Sequence, residues 1–371
     1  MASDVLREET PVLVVGAGKI GTAITSLLGA TGDYRVTVLD RDERALKAVD
    51  ALGAHAVQGE TSDGALLFRL AGENKMVLSA APFHHTVAVA QAARDAGAHY
   101  FDLTEDRQAA RTVRALADSA RSVLMPQCGL APGFISVAAA SLASGFDELR
   151  SVSMRVGALP QYPTNALKYN LTWSTDGLIN EYCNPCEAIV DGQLREVAPL
   201  EELEAFSLDG VAYEAFNTSG GLGSLCETML GTVESLDYKT VRYPGHCEIV
   251  KLLVRDLRLG RRREVLKDVL ETAIPVTNQD VVLIFVSVSG IRDGVLTQQT
   301  FARKVYASEV GGRLLSAIQL TTAAGICTMA DLVHHEKLPT TGFLRQEDCS
   351  LDEFLANRFG GLYLKGKEVT L

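Results

Sequence analysis

Three groups of residues have the types and spacing to do chemistry. The first is Gly16-Ala17-Gly18-Lys19-Ile20-Gly21, between the apolar run Val12 to Val15 and a helix-like stretch. Glycines at this spacing suit a strand–turn–helix that holds a dinucleotide. Gly16 permits the tight turn, Gly18 lets the backbone approach a pyrophosphate, and Gly21 lets the helix pack on the strand. The helix opening at Lys19 and Ile20 offers N–H groups and positive dipole to the phosphates. Arg35 to Leu39 reads as the next strand, with Asp40 at its end, nineteen residues after Gly21. A carboxylate there binds ribose hydroxyls and repels a 2′-phosphate, which points to NAD as cofactor; Arg41 is the counter-argument. The plainer reading of Asp40 is a cap on the helix that begins near Asp42.

The second group follows three later strands. Ser79-Ala80-Ala81-Pro82-Phe83-His84-His85 offers small residues that let ribose and nicotinamide lie against the backbone. Asp102-Leu103-Thr104 and Pro126 to Gly133, with Cys128, stand at equivalent places. His84 and His85 either reach the cofactor or pack and cap; Cys128 is either part of the chemistry or a small buried hydrophobe. The third group is Arg242-Tyr243-Pro244-Gly245-His246, a turn that projects a cation, a phenol and an imidazole together. His246 is the leading candidate for a general base, since imidazole titrates near neutral pH, and a surface turn is the alternative. The glycine loop Thr218 to Gly223 is a turn approaching substrate or a plain connection. Cys183 and Cys186 have the spacing of half a zinc site, but no second such pair completes it, so no metal is expected. His334-His335 and Arg261 to Arg263 read as solvated helix positions.

Alternation positions these groups. Strands at 12–15, 36–39, 54–58, 75–78, 99–103 and 122–125 alternate with helices at 23–30, 43–52, 64–71, 86–96 and 107–119. This predicts a Rossmann-type, doubly wound parallel sheet whose ligands sit at the carboxyl ends of the strands. From about Glu148 the texture turns strand-rich, with a hairpin at Asp191-Gly192 and long strands at 281–289 and 295–302. An antiparallel sheet backed by helices is expected there. The apolar helix over 314–333 is expected to return to the first domain. The division predicted is a dinucleotide domain at 1–147, an α+β substrate and dimerisation domain at 148–312, and a returning C-terminal segment at 313–371.

A length of 371 residues favours two domains over one core. The formal net charge of -11 disfavours nucleic acid and anionic membranes as partners. The opening residues lack a signal-peptide pattern, and no apolar run approaches the ~20 residues of a membrane span. Seven cysteines without a regular framework suit a reducing cytoplasm.

Taken together, GAGKIG at 16–21, SAAPFHHTVAVA at 79–90, HYFDLTED at 99–106, QCGLAPGFIS at 127–136, NALKYNLTWSTDGLINEY at 165–182, FNTSGGLGSLCET at 216–228 and TVRYPGHCEIVK at 240–251 resemble the saccharopine dehydrogenase-like oxidoreductases. Within them the chain resembles most the lysine 6-dehydrogenase branch. The resemblance implies NAD-linked oxidative deamination at the ε-carbon of L-lysine, giving ammonia and a semialdehyde that cyclises. It also implies a cleft between domains and a homodimer or larger homo-oligomer. By the family's motifs Pro82, Phe83, Asp102 to Thr104 and Cys128 line that cleft. Lys168, Trp173, Asp176, Arg242 and His246 are expected to recognise the amino acid. Asp176 stands where saccharopine-forming relatives carry an arginine for the glutamyl arm. The rival readings are a saccharopine or carboxynorspermidine dehydrogenase and an NAD-binding sensor without turnover.

Overall fold

The computed structural model describes residues 9–365 and 367–368. Six strands of the first unit appear where alternation placed them: β1 (Thr10–Val15), β2 (Tyr34–Asp40), β3 (His55–Gln58), β4 (Met76–Ser79), β5 (His99–Asp102) and β6 (Val123–Met125). Between them run α1 (Lys19–Gly29), α2 (Glu43–Asp50), α3 (Gly64–Gly72), α4 (Thr86–Ala96) and α5 (Arg107–Ala117). Asp42, Asp63 and Asp106 each cap the helix that follows, accepting from Arg44, Leu66 and Ala109 backbone N–H groups.

The second unit opens with α6 (Phe134–Ala143) and the long strand β7 (Glu148–Pro160). Then come α7 (Thr175–Cys183), β8 (Cys186–Val190), β9 (Gln193–Val197), β10 (Glu204–Leu208), β11 (Val211–Asn217) and the short α8 (Leu225–Thr228). β12 (Val233–Arg242) leads into α9 (His246–Lys251), α10 (Arg263–Ala273) and the hairpin β13 (Asp280–Arg292) and β14 (Val295–Tyr306). A two-stranded ladder, β15 (Ser308–Val310) and β16 (Arg313–Leu315), precedes α11 (Ala317–His334) and β17 (Gly342–Phe343).

In the first sheet the order is β3-β2-β1-β4-β5-β6-β17, and its pairs are parallel. Its central strands are fully buried, as Val12 to Val15 and Leu78 show, because helices cover both faces. β17 escaped the sequence pattern because two residues are too short to show a period.

The second sheet has nine strands and is mixed, which corrects the expectation of an antiparallel one. β7 and β12 pair in parallel, from Leu149 beside Val233 to Val156 beside Thr240. A parallel pair needs a long crossover, and the chain from 161 to 232 supplies it through α7 and the β8–β11 hairpins. The antiparallel pairing of β7 with β13 and of β13 with β14 follows expectation.

The compact units divide between Gly129 and Leu130, earlier than the break drawn at 147 and 148. α6 falls in the second unit because its apolar face packs there. The Phe134 ring lies 4.1 Å from Tyr363, 4.9 Å from Phe354 and 5.7 Å from Phe301, centroid to centroid. The C-terminal segment is likewise divided: residues 309–314 and 322–345 join the first unit, 315–321 and 346–365 the second.

Candidate functional site

The carboxyl ends of β1, β2 and β4 build the first site. Gly16 turns the chain at φ +101, its N–H donates to Leu39 O at 2.8 Å, and Ala80 N–H donates to Val15 O at 2.8 Å. A Cβ at Gly16 would stand 2.9 Å from Ala80 O, and one at Gly21 would overlap the Gly16 carbonyl. Gly18 is the opposite case. A Cβ there would meet nothing within 4 Å, and Gly18 heads α1 without a side-chain cap. Lys19 is exposed, and the first turn of α1 holds no acid. An open, uncapped helix N-terminus beside a lysine fits a pyrophosphate.

Asp40 ends β2 and is partly exposed. Its Oδ2 accepts from Ala17 N–H at 2.6 Å and its Oδ1 from Asp42 N–H at 2.8 Å. Each carboxylate oxygen has a second lone pair, so the group that braces the glycine turn keeps acceptor capacity for a ribose. Of the two roles weighed for Asp40, the geometry leaves room for the ribose, whereas the cap on α2 is Asp42 and not Asp40. Ala81 and Leu103 are half-buried, Ile20 likewise, while Pro82 and Phe83 are exposed at the strand ends.

Two residues expected at the chemistry turn inward instead. Asp102 is 1% exposed, and its carboxylate accepts from Tyr100 OH and from the N–H groups of Thr104 and Gln127, each at 2.9 Å. Burial pushes its carboxyl up to about 6, against the pull of those hydrogen bonds. Asp102 thus ties the loops after β5 and β6 together, and Gln127 sits in that tie at φ +66. Cys128 is wholly buried, with its thiol donating to Met125 O at 3.0 Å. A Cβ at Gly325 would come within 2.7 Å of Cys128 O, so α11 closes over this turn. The bland reading of Cys128, a small packed hydrophobe, matches these contacts.

The second site lies in the second unit and is made of side chains. His246 begins α9 and is 1% exposed. Its Nδ1 lies 2.8 Å from Leu167 O and its Nε2 2.9 Å from Tyr182 OH. A carbonyl only accepts, so Nδ1 carries the proton and Nε2 accepts from the tyrosine. Tyr182 in turn accepts from Arg242 Nε at 3.0 Å. The result is a directed chain: Arg242 to Tyr182, to His246, to a backbone carbonyl. Burial first, and the Arg242 guanidinium second, pull His246 down to about 3. That corrects the expectation of a base poised near neutrality, since both ring nitrogens are engaged and the ring stays neutral. Arg242 keeps its charge. Burial, the largest influence, opposes it, and Tyr182, Tyr169 and Glu181 more than offset that.

Around this chain the guanidinium lies 5.0 Å from the Tyr169 ring centroid, and Nη1 donates to Thr240 Oγ1 and Val241 O. Glu181 Oε2 is 3.7 Å from Nη2. Glu214 accepts from Gly245 and Cys247 N–H groups and so fixes the turn that carries His246. Among the described residues, Asn170 Oδ1 and Thr218 Oγ1 are buried without a hydrogen-bond partner. Tyr182, Glu181, Tyr169 and Glu214 were not singled out in the sequence. They lie within quoted motifs or beside them, but only the fold reveals that they share partners with Arg242 and His246.

Three further expected residues stand apart from this chain. Lys168, at φ +52, is exposed and donates to Pro244 O at 2.8 Å, bracing the turn before His246. Trp173 is half-buried and packs on Gly177, where a Cβ would overlap its ring. Asp176 is not a turn residue. It lies in the first turn of α7, which Ser174 caps, and its carboxylate accepts from Lys267 at 2.7 Å.

Among the described residues no group of three or more metal-binding side chains occurs, and no helix is long and apolar enough to cross a membrane.

Both parts of the chain match known family models. Residues 12–124 match the family model for the saccharopine dehydrogenase NADP binding domain, and residues 129–360 that for the saccharopine dehydrogenase C-terminal domain. A Saccharomyces cerevisiae saccharopine dehydrogenase (NADP(+), L-glutamate-forming) is 25% identical over 66% of this chain, and its Schizosaccharomyces pombe counterpart is 21% identical over the same share. Each match spans 57% of the relative's own length, a little over half. The apo structure of the L-Glu-forming saccharopine dehydrogenase from Saccharomyces cerevisiae superposes with a TM-score of 0.78 at 18% identity, covering 98% of this chain and 100% of that one, so the fold is shared. On both of its domains, this chain belongs to the saccharopine dehydrogenase family.

Proposed function

We propose that this protein is an NAD-preferring amino-acid dehydrogenase that oxidises a carbon–nitrogen bond, with L-lysine as substrate and its ε-carbon as hydride donor, a lysine 6-dehydrogenase. The observation that carries the cofactor half is the pairing of an open Gly18 with Asp40 at the end of β2. Gly18, Lys19 and Ile20 would hold the pyrophosphate, and Asp40 the ribose hydroxyls. The nicotinamide, when bound, supplies the hydride acceptor. The reaction balances as amine, NAD⁺ and water going to semialdehyde, ammonia, NADH and a proton. Arg242, a buried cation, supplies charge for an amino-acid carboxylate, and Tyr182 and His246 hold its guanidinium in orientation.

Saccharopine is the second reading. The curated relatives act on it by name, and the Asp176 charge that argued against a glutamyl arm is matched by Lys267. A sensor that binds NAD without turnover is the third. Purified protein with NAD or NADP, followed at the NADH absorbance band, separates them. Turnover with L-lysine supports the first reading, turnover with saccharopine alone the second, and tight cofactor binding without turnover the third. A lysine amine with pKa ~10.4 is neutral in about one molecule in 2,500 at pH 7, so lysine oxidation should be fastest well above neutrality.

A further inference from the structure

The side-chain site makes one demand that its own residues do not meet. Arg242 is 2% exposed; its Nε donates to Tyr182 OH, and its Nη1 to Thr240 Oγ1 and Val241 O. Nη2 makes no hydrogen bond among the described residues. Glu181 Oε2 stands 3.7 Å from it, near enough to attract and too far to bond. A buried ion pair offsets its desolvation only when the two groups close to good hydrogen-bond geometry. This pair stays open, although Tyr182 and Thr240 hold the guanidinium in place.

Glu181 lies in α7, among phenols. Burial pushes the Tyr169, Tyr182 and Tyr238 hydroxyls up; the Glu181 charge adds to this and Arg242 opposes it. The loop after β11 is tied to the same helix. Ser219 N–H donates to Glu181 O at 3.1 Å and Ser219 Oγ to Asn180 O at 3.0 Å, while a Cβ at Gly221 would overlap the Tyr238 ring. Thr218, beside that tie, is 2% exposed and its hydroxyl has no partner. The Glu181 side chain keeps 12% exposure, so the pair is reached from the side of the acid.

Opposite charges held apart in a buried site match a ligand that carries the same two charges close together. A lone carboxylate at Arg242 would meet the field of Glu181, and a lone ammonium that of Arg242. The head of an α-amino acid presents both charges at once and leaves the site neutral. A carboxylate accepts at about four lone-pair sites, so Glu181 can take an ammonium N–H beside the bonds it already makes.

We propose that Glu181 is a substrate-binding residue: it receives the α-ammonium of an amino acid whose α-carboxylate lies on Arg242 Nη2, with Thr218 Oγ1 as a second acceptor. The inference rests on the reading of this site as an amino-acid receptor. Glu181 is then the acid that meets the substrate, in place of Asp176, whose carboxylate is held by Lys267. Lysine and saccharopine share this head, so the receptor selects α-amino acids without choosing between those two.

The test is equilibrium binding of three probes in saturating NADH. L-Norleucine carries both charges, hexanoate lacks the ammonium and pentylamine lacks the carboxylate. The wild type should bind L-norleucine at least about tenfold more tightly than either, the size of one charge-assisted hydrogen bond. Glu181→Gln should lose about tenfold or more for L-norleucine while hexanoate binding does not weaken, so the preference collapses. Thr218→Val, which keeps the shape, should weaken L-norleucine about fivefold and leave hexanoate unchanged. Equal losses for L-norleucine and hexanoate in Glu181→Gln would make Glu181 a structural residue and overturn the proposal. Wild-type affinities that do not distinguish the three probes would overturn it too. Turnover of L-lysine and of saccharopine, measured alongside, tests the dehydrogenase reading separately. A preference for L-norleucine that depends on Glu181, without turnover of either, upholds the receptor and fails that reading. Turnover with an unchanged preference in Glu181→Gln fails the receptor alone.

Discussion

The two candidate sites are built on opposite principles. In the first unit the receptor is backbone: a glycine turn, an uncapped helix N-terminus and strand ends, with one carboxylate bracing the turn. In the second unit it is side chain, a buried cation passing hydrogen bonds through a phenol and an imidazole to a carbonyl. A backbone receptor can stay partly open to solvent because its N–H groups hold their positions by the fold alone. A side-chain receptor has to be buried to stay ordered, and burial opposes every charge in it. Burial beside a cation keeps His246 neutral, while Arg242 remains charged because Tyr182, Tyr169 and Glu181 more than offset that cost.

The sharpest way to break this comparison is to add one methyl group to the backbone receptor. In Gly21→Ala the Cβ overlaps the Gly16 carbonyl, so the turn itself must move. Thermal or denaturant unfolding should show a loss of about 3 kcal/mol, the upper range for overpacking, and nucleotide binding should disappear. Gly18→Ala is the control, because its Cβ enters open space. It should cost less than about 1 kcal/mol, the usual range for an N-cap, yet weaken NADH binding tenfold or more. If Gly18→Ala binds NADH like the wild type, the pyrophosphate does not approach Gly18.

Legibility follows from the same contrast. The glycine turn, Asp40 and the six parallel strands could be read because each is a contiguous pattern with a local physical cause. The side-chain site draws Leu167, Tyr182 and the turn that carries Arg242 and His246 from three separated segments, and no local period connects them. The sequence offered His246 as a base because an imidazole in isolation titrates near neutrality. Only its burial beside Arg242 removes that property. Asp102 was misjudged for a related reason. Its place after β5 was correct, but the inward direction of its side chain depends on Tyr100, Thr104 and Gln127.

The buried ionisable groups of the two sites also predict opposite pH responses. His246 is depressed from 6.5 to about 3, so between those values the unfolded chain binds the extra proton and stability rises with pH. Asp102 is raised from 3.8 to about 6, so between those values the folded chain binds the extra proton and stability falls with pH. Each slope is at most about 1.4 kcal/mol per pH unit, and between pH 4 and pH 6 they oppose each other. Relative to the wild type, Asp102→Asn should therefore gain stability as pH rises from 4 to 6, and His246→Gln should lose it. Denaturant midpoints at pH 4, 5 and 6 measure both. Parallel curves for wild type and variant would mean that the group does not titrate in that window.

The smallest effect is expected at Asp176, where the two kinds of site can be told apart most finely. Its carboxylate is 57% exposed and paired with a Lys267 that is 32% exposed, so solvent screens the ion pair. Such pairs contribute about 0 to 1 kcal/mol, and Asp176→Asn should change the unfolding free energy by no more than about 0.5 kcal/mol. A carboxylate already held by Lys267 adds little to recognition of an amino acid's ammonium. The specificity constant for lysine should then stay within about twofold of the wild type, and activity with saccharopine should not rise. A tenfold fall with lysine would instead require the ion pair to open and the freed carboxylate to contact substrate. Repeating the assay in Lys267→Met decides between the two. If Lys267 only occupies Asp176, its removal leaves lysine kinetics unchanged; if the ion pair competes with substrate, its removal strengthens lysine binding, and only in the protein that retains Asp176.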